Sequence, residues 1–558
     1  VGAGRTSAGN PQTRRLPGLA ASAGHAQRAG AAATRRRRAA AAYLLAGAGL
    51  FAVYLRLSDT AALNSDSANI LLMGRDLLHG NLLLHGWYMS DVSFYPTELP
   101  QYAVLESFLG LRPQTAHVAA AMTYTLAFLL AVALARSGSS GRAAAVRTLV
   151  AAGVMLAPQL GAGVFALDLS VGHIGTSVPL LLAWLVLDRA PARWYVPVLT
   201  AVLLAWVLVA DDITYVVGIA PLGLVCAARV LHGLATGAGR WPRRLAARRY
   251  DLLLAAAAAA AAGLGWAADR LLRDLGGYTV NTPRFYLTPW ADLHNNAQAA
   301  WKVLQAFGAD WAGTGGVQLA LALLHLASVL VVLLAVLLVA VRSGRGGPVA
   351  LVDQVLAVAV VANVALYLLT NAADLAAHEV AIIVPFGAAL AARMLVRPGA
   401  PVRRGAVARL VRGAVLAAWL LVLAGYAAGL GYDDVARPPV PPANTGLASW
   451  LLGHHLSYGL SGYWTSSVVT VDSGERVQVR ALLKASLAED LWMADSSWYD
   501  PAKHYANFVV TDSQPGDFSR WEPRALIMRY FGAPARTYRT GPYTIMVWHR
   551  NLLDDLPR

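Results

Sequence analysis

Cysteine is almost absent: among 558 residues there is only Cys226, inside an apolar run. A disulfide framework needs pairs and a thiolate metal site needs a cluster, so both are excluded, and Cys226 reads as a small buried hydrophobe. Charge is scarce too. Only 14% of residues are charged and 57% are hydrophobic, where a soluble chain carries roughly a quarter charged. The Gly-rich phosphate loop, the dinucleotide fingerprint and the serine-hydrolase nucleophile turn are missing from any useful context. No His/Cys spacing matches a zinc site, and no solenoid or propeller repeat is visible. These absences remove the common soluble enzyme classes.

What the chain has is apolar length. Runs of about 20 apolar residues, each enough to cross a bilayer, recur along it. They lie near 39–57, 115–135, 147–166, 172–188, 194–210, 213–231, 250–268, 317–341, 350–370, 378–396 and 411–431. The pattern predicts a polytopic α-helical membrane protein with about eleven transmembrane helices.

The formal charge of +15 comes from Arg-rich segments at 35–38, 136–147, 240–249, 342–345 and 393–412, between these runs. With residues 35–38 inside, every such loop falls on the cytoplasmic side, as the positive-inside rule requires. Nucleic-acid binding wants an accessible basic face instead, so no nucleic-acid partner is expected. The N-terminus is then cytoplasmic, and the loops 58–114 and 269–316 and everything after 431 lie outside. Residues 1–38 read as a disordered basic tail and 39–431 as the membrane domain. The first run is an uncleaved anchor, since Tyr54 to Leu57 offers no small-residue cleavage site. The Ala/Arg/Gly-rich composition fits a bacterium with a GC-rich genome, which makes the plasma membrane the expected location.

Beyond the Pro-rich break at 438–442 the chain changes character. Alternating segments at 467–471, 476–480, 507–511 and 543–548 read as strands, and 446–455 and 524–531 as helices. Residues 432–558 are therefore expected to form an extracytoplasmic α/β or α+β domain.

The first outer loop is dense in polar groups. Apolar Ile70, Leu71, Met73, Leu77 and Leu78 recur there at helical spacing, which predicts an amphipathic helix over 65–79 along the membrane surface. Ser65 or Asp66 would cap its N-terminus, where exposed amides suit a carboxylate. Asp168 with His173, and His378 with Glu379, form further polar islands near span ends.

Asp66, Ser67, Ala68 and Asn69, followed by Gly74, Arg75, Asp76, Leu77, Leu78, His79 and Gly80, resemble the first outer loop of GT-C-fold membrane glycosyltransferases. The likeness is nearest the dolichyl-phosphate-mannose mannosyltransferase-like and aminoarabinose-transferase-like families. Those families show an acidic pair soon after the first span. Here Ser67 stands in place of the second acid, which leaves Asp59, Asp91 and Glu98 as candidates for a second carboxylate.

The resemblance implies a polyprenyl-phosphate sugar donor and a glycan, lipid or protein acceptor at the outer face. Inverting transfer needs a base to take the acceptor's hydroxyl proton, and Asp66 is the expected one. The leaving phosphate needs a cation or hydrogen-bond donor, for which Arg75, Arg284, His79 and His378 are candidates. Trp87, Tyr95, Asp211 and Asp212 are candidates for sugar and acceptor contacts. No cofactor is required and no metal site is expected, although Mg²⁺ or Mn²⁺ assistance is compatible. The rival readings are a transporter or flippase and a non-enzymatic scaffold with a ligand-binding outer domain. Few ionisable residues lie deep in the spans and no repeat is visible, which weighs against transport.

Overall fold

A computed structural model of the chain describes residues 17–158, 173–237, 240–281, 284–396, 406–442, 444–514 and 520–557. Among the described residues eight helices are long and apolar enough to cross a membrane: Ala40–Ser58, Pro113–Arg136, Tyr215–Thr236, Arg249–Asp274, Gly316–Gly344, Leu351–Leu369, Ala377–Leu395 and Gly413–Ala436. Each coincides with a predicted run. The other three runs also become helices, at Gly141–Met155, Ser177–Arg189 and Tyr195–Ala210, but these fall short of the roughly 17 residues a crossing needs. The end of the 147–166 run, and Asp168, lie outside the described residues.

The chain divides into two compact units, Val1–Leu50 and Phe51–Arg558. The first is helical from Pro17, inside the stretch expected to be disordered; its alanine content supplies the helix propensity. All contacts described below lie within the second unit.

Away from the long loops, the membrane helices are tied at their ends by a buried guanidinium. Arg393 grips Asp188 through both terminal nitrogens, at 2.8 and 2.9 Å, and donates to Asp353 through Nε. Arg147 beside it donates to the carbonyls of Ala135, Ser137 and Val396. Charges at such depth persist only when paired.

At the other end of the bundle, three segments far apart in sequence share a small sheet. Strand β1 (Trp87–Met89) of the first long loop pairs in parallel with β2 (Thr279–Val280) and antiparallel with β5 (Ala494–Asp495) of the C-terminal region. Asn281 adds a tie, donating to the carbonyls of Met89 (2.7 Å) and Leu491 (3.1 Å). The loops that the charge pattern puts on one side of the membrane are thus stitched together. Under this seam one apolar core joins Ile70, Leu71 and Met73 to Tyr102, Tyr278, Val468 and Met493.

The C-terminal region holds a five-stranded sheet in the order β4 (Gln478–Ala481), β3 (Tyr458–Ser461), β6 (Phe508–Asp512), β8 (Tyr543–Val547), β7 (Arg536–Thr540). The β4–β3–β6 pairs are parallel and the β6–β8–β7 pairs antiparallel. Alternate residues serve opposite faces, as the pleat demands: Val509 and Met546 join one core, Phe508, Val510 and Ile545 the other. Both faces are therefore covered, one by Thr445–Gly453 and the other by Arg524–Phe531. One expected strand is instead a helix. Residues 467–471 lie in Tyr463–Asp472, buried from Thr465 to Val471. Full burial removes the alternation a half-exposed strand would need, and Thr470 returns its hydroxyl to the Ser466 carbonyl at 3.2 Å.

Candidate active site

The motif helix runs from Ser65 to Leu78. Its N-cap is Asn64, whose side chain accepts from the Ser67 amide at 3.1 Å, so neither Ser65 nor Asp66 caps it. Ser65 donates instead to the carbonyl of Tyr463 at 2.6 Å. Asp66 is left one position inside the first turn, free of the capping role. Nor does the helix present the exposed polar face expected along its first turns. Its residues from Ser67 to Gly74 are buried, with Leu99–Leu109 on one side and Tyr463–Asp472 on the other. Gly74 has a packing reason: a Cβ there would stand 3.2 Å from the Ala103 nitrogen.

Asp66 faces a cavity of about 540 Å³. The walls come from three places: Ser90 to Phe94 of the first loop, His173 and the 375–379 turn between membrane helices, and Tyr463, Trp464, Asp490, Trp492 and Met493 of the C-terminal region. Phe94 (φ 58°) and Met493 (φ 51°) hold left-handed backbone there, a conformation that costs non-glycine residues about 1 kcal/mol or more.

Tyr463 Oη donates to Asp66 Oδ1 at 2.5 Å and accepts from Asn69 Nδ2 at 3.3 Å. Burial pushes the Asp66 carboxyl above its ordinary range, opposed by the Tyr463 hydrogen bond. The Tyr463 phenol is raised as well, by burial and by the negative Asp66. A half-buried carboxylate of raised basicity, held by one directed donor, suits proton abstraction by a base that still faces its cavity.

Asp91 lines the same cavity and is pushed up to about 6 by burial and by Glu379, with His173 opposing. It also borders a second cavity of about 220 Å³ with Asp211, Asp212, Asp269 and Arg273. Glu98 lines neither. It is buried, bonded to the Thr97 hydroxyl, and pushed up to about 7 by burial; Gly175, lacking a side chain, leaves room for its carboxyl.

His378 lines the main cavity, and its Nε2 lies 3.4 Å from Glu379 Oε1. The other phosphate candidates stand elsewhere. Arg75 bridges Glu475 (2.5 Å) and Glu106 (3.4 Å). His79 is exposed at the helix C-terminus, and Arg284 is exposed in the middle loop. Trp87 is buried, donating its indole N–H to Asp76 at 2.7 Å. Tyr95 packs edge-on against Tyr278 with ring centroids 5.6 Å apart, and Asp59 accepts from Gln114 at 3.3 Å. Asp211 is buried behind the cavity wall and bonds to His173, whereas Asp212 is exposed.

Sequence reasoning attached no role to Tyr463, Trp464, Asp490 or Trp492. They stand some 400 residues from Asp66 along the chain, and no local pattern marks them. Among the described residues no group of three or more His, Cys, Asp or Glu is arranged to hold a metal ion.

No family model matches the chain, and no curated protein matches it. Among solved structures it is similar to ArnT from Cupriavidus metallidurans bound to undecaprenyl phosphate, with a TM-score of 0.51, 12% identity, and 90% of this chain and 98% of that one covered. The apo state of the same protein gives a TM-score of 0.48 at 12% identity, covering 91% and 98%. At such identity the likeness is one of fold. The chain shares that fold: a polytopic helical membrane protein with a sheet-containing C-terminal region, matched over nearly the whole length.

Proposed function

We propose that the chain is an integral membrane glycosyltransferase. It moves a sugar from a polyprenyl phosphate to a hydroxyl of a glycan, lipid or protein at the outer face of the plasma membrane, with inversion at the anomeric carbon. The N-terminus is then cytoplasmic and the C-terminal domain extracytoplasmic. The observation that carries the reading is Asp66: half-buried, relieved of capping by Asn64, and facing a cavity of about 540 Å³ closed by the C-terminal region. The fold supports it, being shared with a protein whose solved structure holds undecaprenyl phosphate.

In the proposed reaction Asp66 accepts the acceptor's hydroxyl proton as that oxygen attacks the anomeric carbon. The bond from that carbon to the phosphate oxygen breaks, and the polyprenyl phosphate departs with the bonding pair. His378 is the phosphate candidate that lines the cavity, placed to stabilise charge as it develops. Asp91 and Asp490 are available to accept hydrogen bonds from sugar hydroxyls, and Trp464 and Trp492 to present apolar ring faces. No resident cofactor is assigned, and Mg²⁺ or Mn²⁺ is at most an aid.

The test is transfer from a polyprenyl-phosphate sugar by the purified protein in nanodiscs, with and without a chelator. Asp66→Asn keeps the shape and removes the base, so the rate is expected to fall at least about 100-fold while thermal stability persists. Full activity in Asp66→Asn sinks the assignment of the base.

A further inference from the structure

From the cavity wall inward runs a line of four titratable side chains, of which His378, Glu379 and His173 line the cavity and Asp211 does not. Glu379 Oε1 lies 3.4 Å from His378 Nε2, and its Oε2 lies 3.0 Å from His173 Nε2. His173 Nδ1 lies 2.7 Å from Asp211 Oδ2. Asp211 ends the line and is itself anchored, accepting from the Thr176 hydroxyl at 2.5 Å and the Ile213 amide at 3.0 Å. His173 and Asp211 are 6% and 2% exposed, so water screens neither.

His173 has a carboxylate oxygen at hydrogen-bond distance from each ring nitrogen. A neutral imidazole offers one N–H and one lone pair, and a lone pair aimed at a carboxylate oxygen at 3 Å is repulsive. Both contacts are attractive only when the ring carries both protons. His173 is thus a cation shared by two acids, and it holds Glu379 at the oxygen that His378 does not contact.

The cavity makes this matter. Among its described lining residues are Asp66, Asp91, Glu379 and Asp490, while none is a lysine or arginine. A phosphate entering such a site meets repulsion unless some of that charge is already neutralised.

We propose that His173 is a positioning residue for the lipid phosphate: shared with Asp211, it offsets part of the negative charge of Glu379 and through it fixes the His378 ring against the cavity, where the polyprenyl phosphate is received. This rests on the polyprenyl-phosphate reading above. His173 has Asp91 and Glu98 as further acidic neighbours within electrostatic range, and His378 faces acidic Asp66 and the opposing positive charge of His173.

The experiment titrates undecaprenyl phosphate into the full-length protein in nanodiscs. His173→Asn is expected to weaken binding about tenfold, and Glu379→Gln less. Because His173 acts through Glu379, His173→Asn is expected to add under about twofold once Glu379→Gln is present. Nitrogen-15 histidine spectra supply a signature that a merely structural role would not produce. His173 should show two protonated ring nitrogens, and the His378 signal should move with ligand in wild type but not in His173→Asn. His173→Gln keeps an amide donor toward Glu379; it is expected to regain part of the affinity, and it carries the comparison if the Asn variant does not fold. Unchanged affinity in both variants, or equal losses in both Glu379 backgrounds, overturns the proposal while leaving the donor reading intact. A wild-type protein that does not bind undecaprenyl phosphate removes the donor reading and this inference together. Competition by inorganic phosphate at equal concentration would make the site one for free phosphate and overturn the lipid assignment.

Discussion

Asp66 owes its availability to its neighbour. Asn64 takes the capping bond, so the carboxylate one residue inside the helix is spared for the cavity. Its remaining constraint is the Tyr463 hydroxyl, which favours the ionised form. Removing that donor raises the carboxyl further, and a base must be ionised to work. The acid limb of the pH–rate profile of Tyr463→Phe is therefore expected to move to higher pH, with kcat/KM at neutral pH down by about tenfold; a limb that stays in place disconnects Tyr463 from the titrating group. Glu98 provides a stability test of the same physics. Burial lifts it from 4.5 to about 7, so the folded state binds its proton more tightly than the unfolded chain. The stabilisation is fully present below pH 4.5 and is lost as pH rises through about 7. Glu98→Gln is expected to flatten that dependence, raising stability at pH 8 by on the order of 2–3 kcal/mol relative to its effect at pH 4, read as thermal midpoints at the two pH values.

At the scale of elements, the helix Ser65–Leu78 was legible in the sequence as an apolar stripe, but its surroundings were not. A stripe reports that one face is buried, not that the other is buried too. The opposite face is covered by Tyr463–Asp472, which the β-branched run at 467–471 marked as a strand. Helix and strand are not distinguishable in a short, fully buried apolar run without knowing what surrounds it. Gly74 lets the motif helix approach Leu99–Leu109. Gly74→Val forces these helices apart and is expected to cost about 1–3 kcal/mol, measured by thermal denaturation in detergent. A neutral substitution there would mean that the close approach is dispensable.

Across the whole molecule, the site is held from two ends. The cavity closes because β1, β2 and β5 join two inter-helix loops to the C-terminal region. At the far end Arg393 collects Asp188 and Asp353. Arg393→Met leaves the buried Asp353 and the half-buried Asp188 without their cation and is expected to destabilise by about 3–5 kcal/mol. Changing Asp188 and Asp353 to Asn as well is expected to recover most of it, since a pair removed whole costs far less than one broken. Equal thermal midpoints for the single and triple variants would show that the clamp is not electrostatic.

The sequence by itself determined that the chain crosses a membrane many times, because bilayer thickness acts on contiguous stretches that composition reveals. It also marked Asp66, since a polar motif after an apolar span is a local pattern. Only the tertiary structure decided what Asp66 meets. Tyr463 reaches it from the far end of the chain, Asp490 and Trp492 line the cavity it faces, and Arg75 is drawn away to Glu106 and Glu475. Those pairings depend on how helices and loops pack across hundreds of residues, which local hydrophobicity and spacing do not encode.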